Sequence, residues 1–129
     1  MKEMILLFNF QDRERRLALE MLLFPLHVRL RAVQKEEYLK PLGFFAGSSD
    51  VSSTDELYTG PELPHEMLVF VNLPDEKLNY ILANMRKSKV GPVPHKAVLT
   101  PTNQHWNVLE CYQEIDAEHE AMQKLRQEQ

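Results

Sequence analysis

Two continuous apolar runs constrain this chain more than any other feature of its sequence. Met4–Phe8 and Met67–Val71 each consist of five apolar residues with no polar residue between them. Such runs are typical of strands that are covered on both faces, as in the centre of an α/β sheet. Each run ends at an asparagine, Asn9 or Asn72, and a helix start follows directly. The chain is therefore predicted to be an α/β protein with these two runs as its central strands.

Helical periodicity follows each of the two runs. After the first run we expect Asp12 to cap a helix that Pro25 stops. Its predicted apolar face consists of Leu17, Ala18, Met21 and Leu22. After the second run, Pro74 suits the first helical position, and the acidic residues behind it complement the helix dipole. The predicted apolar face of this second helix consists of Leu78, Ile81, Leu82 and Met85.

The remaining segments complete an alternating pattern of strands and helices. Residues 27–33 alternate polar and apolar side chains, which predicts a strand at a sheet edge with one face in water. Residues 97–99 form a short apolar strand, and a final helix is expected to begin near Thr102. Right-handed crossovers then favour a mostly parallel, four-stranded sheet in the order 2-1-3-4 with helices on both faces. This three-layer α/β architecture would resemble half of a flavodoxin or receiver domain.

Composition narrows the class of protein. At 129 residues, residues 1–129 are expected to form one domain, with a flexible Ser/Thr/Pro-rich loop at 47–64 and a projecting helix end at 116–129. A formal net charge of -4 argues against nucleic acid as a partner. Cys111 is the only cysteine, which rules out an internal disulfide. With neither a membrane-length apolar segment nor a signal-peptide pattern, we expect a soluble cytoplasmic protein without membrane contact.

Polar residues at the predicted carboxyl ends of the strands suggest a ligand site. In an open parallel sheet, ligands bind at this edge, where the strand order reverses. Between the first and third strands, Asn9 and Asn72 would then be neighbours, and Thr102 would cap the final helix through its hydroxyl group. The ligand-binding candidates are Asn9, Asn72, Thr100, Thr102, Asn103 and His105. Helix starts and turns explain the same residues without a ligand.

Several kinds of chemistry lack their usual residues. No Gly-rich phosphate loop follows a strand, so a bound nucleotide cofactor is not expected. The five histidines show no metal-site spacing, and none pairs with an acid in a known motif. Asn9 and Asn72 stand where a receiver domain needs carboxylates, so receiver phosphorylation is not expected. We predict no catalytic residues, no metal and no cofactor.

Four stretches of the chain together resemble a known family. They are the opening Met-Lys-Glu-Met-Ile-Leu-Leu-Phe-Asn, Leu39-Lys-Pro-Leu-Gly43, Glu66-Met-Leu-Val-Phe-Val71, and Lys96-Ala-Val-Leu-Thr-Pro-Thr-Asn-x-x-Trp106. The combination is similar to a family of short bacterial proteins, mostly from Firmicutes, called domain of unknown function 3783. The resemblance covers nearly the whole chain outside the 47–64 loop. It implies a small α/β domain from a bacterial cytoplasm and brings no activity, cofactor or catalytic residue.

Two hypotheses about function follow. The first is a non-enzymatic binding or regulatory module that acts through protein contacts, either with an unknown protein or with itself as a homodimer. Its motivation is the sparse apolar stripe Ile115, Met122 and Leu125 on the projecting tail. The alternative is a small-ligand or anion binder, conceivably an enzyme, with its site at the carboxyl-terminal edge of the sheet.

Overall fold

The computed structural model describes residues 2–128, with one sheet between two layers of helices. Residues 1 and 129, the ends of the predicted domain, lie outside this range. The strands are β1 (Met4–Phe8), β2 (Arg29–Val33), β3 (Met67–Val71) and β4 (His95–Val98). The α-helices are α1 (Arg13–Leu23), α2 (Leu42–Phe45), α3 (Asp75–Lys87) and α4 (Val108–Glu128). Short 3₁₀ turns span Phe24–Leu26, Lys35–Glu37 and Asn103–His105.

The strand order is β2-β1-β3-β4, as the sequence predicted, but the sheet is mixed. β1 runs parallel to β2, and β3 runs parallel to β4. The central pair is antiparallel, with Met4 opposite Val71 and Phe8 opposite Met67. The predicted mostly parallel sheet is therefore wrong between β1 and β3, and the flavodoxin- or receiver-like comparison retains only the strand order.

The connection between β2 and β3 explains this reversal. β3 could run parallel to β1 and β2 only if the chain first returned from the end of β2 to the opposite end of the sheet, where β1 and β2 begin. Such a crossover usually contains a helix. Residues 34–66 contain only the four-residue helix α2 and one 3₁₀ turn, and they begin and end at the same edge. Five consecutive apolar residues indicate that both faces of a strand are covered. They do not indicate whether the strand runs parallel or antiparallel to its neighbour.

The two faces of β1 pack against different helices. Ile5 and Leu7 belong to the cluster that α1 and α3 complete, whereas Leu6 and Phe8 belong to the cluster of α2 and α4. All four side chains are at most 1% exposed. The predicted three layers are thus confirmed. Because burying one such side chain contributes about 1.5–3 kcal/mol, this strand anchors both halves of the core.

Helix α1 begins and ends as expected but buries a different face. The Asp12 carboxylate accepts the Arg15 backbone N–H at 3.0 Å, and the helix ends two residues before Pro25. The buried residues are Leu19 and Leu23, whereas Leu17 and Met21 are exposed. Of the predicted face, only Ala18 and Leu22 pack against the core. The helix carries apolar residues on more than one side, so its periodicity did not select the face that meets the sheet.

The elements around β3 and β4 largely follow the prediction. Ile81 and Met85 are buried, and Leu78 and Leu82 pack beside them, which confirms the predicted face of α3. Pro74 is the residue that precedes the helix rather than its first helical position. The last strand, β4, begins two residues earlier than predicted and ends at Val98. β2 is an edge strand with alternating exposure, as predicted.

Helix α4 begins later than predicted. Thr102 caps no α-helix, because a 3₁₀ turn and the extended residue Trp106 follow it. The helix instead begins with a reciprocal capping box, in which the Asn107 and Glu110 side chains accept each other's backbone N–H groups at 2.9 and 3.3 Å. Its inward face includes Tyr112 and Ile115, and the residues from Ala117 onward are mostly exposed.

Residues 47–64 contain no helix or strand. Backbone and side-chain hydrogen bonds attach this segment to the β2–α2 region, from Tyr58 N–H to Glu36 O at 3.0 Å and from Lys40 Nζ to Thr54 O at 2.7 Å. Within residues 2–128, no helix is both long enough and apolar enough to span a membrane.

Candidate functional site

The predicted ligand site is divided between the two ends of the sheet. Because β1 and β3 are antiparallel, Asn9 lies beside the start of β3, and Asn72 lies beside the start of β1. About six residues of strand separate these two ends, which corresponds to about 20 Å. Thr100, Thr102 and Asn103 follow β4 and lie at the Asn72 end. The predicted convergence of all six candidates on one edge is therefore wrong. We call the two ends the Asn9 edge and the Asn72 edge.

Each asparagine ends its strand in the same way. Asn9 and Asn72 both have a left-handed backbone with a φ of 56°. Asparagine tolerates this conformation better than other non-glycine residues. At the Asn9 edge, the Asn9 amide donates to Leu63 O at 2.9 Å and accepts from Gln11 Nε2 at 3.1 Å. Asn9 thereby holds the end of the 47–64 segment against the sheet.

At the Asn72 edge, the polar side chains of the turn after β4 form hydrogen bonds within that turn.

 The polar groups keep their hydrogen bonds inside the segment 98–103. Asn103 Oδ1 accepts from Thr100 N–H at 2.8 Å, Thr100 Oγ1 accepts from Asn103 N–H at 3.0 Å, and Asn103 Nδ2 donates to Val98 O at 2.9 Å. Asn103 is buried, and both the oxygen and the nitrogen of its side-chain amide take part in these bonds. The turn is therefore a structural plug that closes this end of β4.

The side chains of the last two candidates take no part in these hydrogen bonds. Thr102 is exposed, and its hydroxyl caps no helix. His105 is exposed as well and lines a shallow cavity of about 240 Å³ together with residues 52–54 and Glu110. Neither residue lines the two cavities that Asn9 lines.

The structure contains a histidine cluster that was not predicted from the sequence. His95 is 7% exposed, and its ring stacks on Tyr112 with centroids 4.7 Å apart and an interplanar angle of 5°. The rings of His65 and His119 lie 5.5 and 5.1 Å from the same imidazole. These side chains come from the start of β3, the start of β4 and helix α4, so only the fold brings them together.

Hydrogen bonds connect this cluster to the middle of α4 and to the residue before β4. His95 Nε2 lies 3.2 Å from Asp116 Oδ1, and His119 Nε2 lies 2.9 Å from Pro94 O. His95 thus pairs with an acid that lies 21 residues away in the chain, outside any sequence motif. One signal was available in the sequence: Tyr112, Asp116 and His119 share one face of a helix. Burial, and next the charge of Asp116, raise the pKa of Tyr112.

The cluster has the geometry of packing rather than of metal coordination. Its rings meet face to face, whereas metal-bound imidazoles point their nitrogen atoms at a common centre. In the part of the chain that the structure describes, no group of three His, Cys, Asp or Glu side chains could hold a metal ion. Cys111 is buried nearby in α4, and burial raises the pKa of its thiol to about 12, which makes it a poor nucleophile.

Two cavities meet at the Asn9 edge. One, of about 480 Å³, lies at the carboxyl ends of β1 and β2 and includes Gln11, Gln34 and Glu62 in its wall. The other, of about 370 Å³, lies between Pro64, Pro94 and His95. Asn9 lines both cavities.

A buried tyrosine supports the wall of the larger cavity. The Tyr38 hydroxyl donates to Glu62 Oε1 at 2.5 Å, and the same oxygen accepts the Leu63 backbone N–H at 2.9 Å. Burial, followed by the hydrogen bond to Glu62, raises the pKa of Tyr38. Tyr38 therefore remains a neutral hydrogen-bond donor, and the Glu62 carboxylate is held in place.

The fold defines a small three-layer α/β domain with a mixed four-stranded sheet. Within it, residues 66–122 match the family profile described as "Domain of unknown function (DUF3783)", which spans β3, α3, β4 and most of α4. The match covers a little under half of the chain. It includes two of the four stretches on which the resemblance was based, those at 66–71 and 96–106. No curated protein and no solved structure matches the chain.

Proposed function

We propose that this chain is a non-enzymatic binding module that acts through protein contacts, and that its first partner is a second copy of itself. One observation carries the proposal. Leu17, Met21 and Phe24 form an apolar row along the outer side of α1 and are 56%, 69% and 83% exposed. Their spacing places them on one helix face. We call them the α1 row.

The α1 row is more concentrated than the tail that the sequence suggested. Of the predicted stripe on α4, Ile115 is buried in the domain, which leaves Met122 and Leu125 exposed. An apolar row of three large side chains on a helix that already has a buried face is typical of a contact surface. The contact therefore moves, in this proposal, from the projecting end of α4 to α1.

Charge complementarity supports a second copy as the occupant. Arg16 and Glu20 flank the α1 row on one side and form an ion pair at 3.4 Å. If two α1 helices pack antiparallel about a two-fold axis, Leu17 of one copy meets Met21 of the other, and equal flanks face each other. Arg16 of each copy then lies beside Glu20 of the other copy. The two ion pairs within the chains, one in each copy, are thus exchanged for two between the chains.

The compartment in this proposal is a bacterial cytoplasm. The resemblance to the bacterial family supports it. The single cysteine agrees with it, because small secreted domains commonly rely on internal disulfides.

Sedimentation analysis of two matched variants tests the contact. Met21→Glu places a charge in the α1 row, and Met122→Glu places the same charge on the exposed part of α4. We expect the wild-type chain to dimerise, Met21→Glu to weaken the dimer by about a hundredfold or more, and Met122→Glu to leave it unchanged. A wild-type chain that remains monomeric at every concentration, or a dimer that only Met122→Glu dissociates, would contradict the proposal.

A charge exchange tests the orientation of the two helices. Arg16→Glu puts two carboxylates side by side in the antiparallel arrangement, so it should weaken the dimer. The double variant Arg16→Glu/Glu20→Arg restores opposite charges and should recover most of the affinity. Failure of the double variant to recover affinity, with a fold unchanged by circular dichroism, would rule out the antiparallel pairing.

A further inference from the structure

The connections that follow β1 and β2 pass to opposite faces of the sheet. After β1 it enters α1, whose buried residues Leu19 and Leu23 pack on one face of the sheet. After β2 it passes to Tyr38 and Leu42, which pack on the opposite face. These two strands are neighbours and run parallel, so their carboxyl ends form a topological switch point. Crevices at such points are the usual ligand sites of open α/β sheets.

The larger cavity of the Asn9 edge lies at this switch point. Its volume of about 480 Å³ is within the ordinary range for small-molecule pockets. The connection after β1 supplies Asn9, Phe10 and Gln11, and the connection after β2 supplies Gln34 and Lys35. The switch point therefore exists, between β1 and β2 rather than between β1 and β3.

The wall of the cavity carries both cationic side chains and carboxylates. Arg13, Arg16 and Lys35 line the cavity, opposite Glu36 and Glu62. Glu62 already accepts hydrogen bonds from the Tyr38 hydroxyl and the Leu63 backbone N–H. Arg16 is paired with Glu20, so Arg13 and Lys35 are the two cations of the wall that remain for an anion.

The amide groups of the cavity add neutral hydrogen-bonding positions. Gln11 donates to Asn9, which itself donates to Leu63 O, so this corner of the wall is fixed before any ligand arrives. Gln34 extends the polar rim on the β2 side. Guanidinium groups bind phosphate through paired hydrogen bonds, and a phosphate monoester carries up to two negative charges near neutral pH.

We propose that the crevice between the ends of β1 and β2 binds a small organic phosphate, with Arg13 and Lys35 contacting the phosphate group and the amides contacting the rest of the molecule. The cavity is larger than inorganic phosphate needs, which leaves space for a sugar-sized group. This site does not use the α1 row, although Arg16 both lines the cavity and flanks that row. Its test variants leave Leu17, Met21 and Phe24 unchanged.

Two double variants of equal charge test the site. Arg13→Gln/Lys35→Gln removes two positive charges from the crevice. Arg86→Gln/Lys87→Gln removes two from the exposed end of α3, outside the lining of this cavity. Titration with ribose 5-phosphate, followed by amide NMR shifts, should move the resonances of Asn9, Gln11 and Gln34. We expect affinity to fall by about tenfold or more in the crevice variant and to stay unchanged in the α3 variant.

Three outcomes would overturn the assignment. The first is the absence of shifts at millimolar ribose 5-phosphate in the folded wild-type chain. The second is an equal loss of affinity in both double variants, which would indicate unspecific attraction. The third is tighter binding of ribose or succinate than of ribose 5-phosphate, which would remove the phosphate from the assignment. Inorganic phosphate, which shares only the charged group, is expected to bind at the same residues but more weakly.

Discussion

The two ends of the sheet have the same type of strand ending but differ in the structure that surrounds it. At each end a fully buried strand stops at an asparagine with a φ of 56°. At the Asn72 edge, the turn after β4 uses the Thr100 and Asn103 side chains to close the surface. At the Asn9 edge, two parallel strands send their connections to opposite faces, and two cavities open there. Similar strand ends thus lead to a plug or to a crevice, depending on where the chain goes next.

This difference shows what an asparagine after a strand can and cannot indicate. An asparagine at this position indicates a left-handed backbone conformation, which Asn9 and Asn72 share. A binding crevice additionally needs neighbouring connections that separate, and only the arrangement of strands supplies that.

The largest expected effect concerns the separation of the two ends. In a Cys111→Ala background, Asn9→Cys/Asn72→Cys should form no disulfide on oxidation, because about 20 Å of strand lies between the two positions. Asn9→Cys/Glu66→Cys, the next pair beyond the Phe8–Met67 register, should cross-link readily. The opposite result in non-reducing gels would restore a parallel β1–β3 pair and remove the comparison.

A smaller effect is expected at the plug. Asn103→Ala removes a buried amide and leaves the Thr100 N–H and the Val98 carbonyl without that partner, so it should lower the free energy of unfolding by about 2–3 kcal/mol. Urea denaturation measures the change. Thr102→Ala, at an exposed neighbour whose hydroxyl caps no helix, is the control and should cost about 0.5 kcal/mol or less. Equal effects would show that the turn does not depend on Asn103.

The smallest effect concerns the wall of the crevice. Because the pKa of Tyr38 is raised in the folded chain, the unfolded chain loses this proton first as the pH rises. The contribution of Tyr38 to stability is therefore complete below a pH of about 10 and is lost progressively above it. Tyr38→Phe should cost about 1.5 kcal/mol at neutral pH through the lost bond to Glu62, and it should make the alkaline decline of stability shallower.

Denaturation at several alkaline pH values measures that slope. Cys111 and Tyr112 account for the decline that remains in Tyr38→Phe, since burial raises both of their pKa values. An unchanged alkaline slope in Tyr38→Phe would show that Tyr38 is not held as a neutral donor behind the crevice.

Several features could be read from the sequence because their causes are local. The runs Met4–Phe8 and Met67–Val71 are strands buried on both faces, as five consecutive apolar residues predicted. Asp12 caps α1 through a side chain three residues from its partner, and the periodicity of α3 offers a single apolar face. The strand order followed from placing the two buried strands in the centre.

Other features depended on residues that are distant in the sequence. Helix α1 carries apolar side chains on two sides, and the sheet selected Leu19 and Leu23, which left the α1 row in water. His95 met Asp116 and His119 only because β4 packs beside α4.

What the sequence by itself determined is therefore the order of the main strands and helices, the Asp12 cap of α1, and the burial of the central strands, because neighbouring residues decide these. What only the tertiary structure decided is the direction of β3, and with it the position of the switch point and the division of the predicted site. The physical reason is that an apolar strand can be buried on both faces whether it runs parallel or antiparallel to its neighbour. Residues 34–66 start and end at the same end of the sheet, so β3 runs antiparallel to β1.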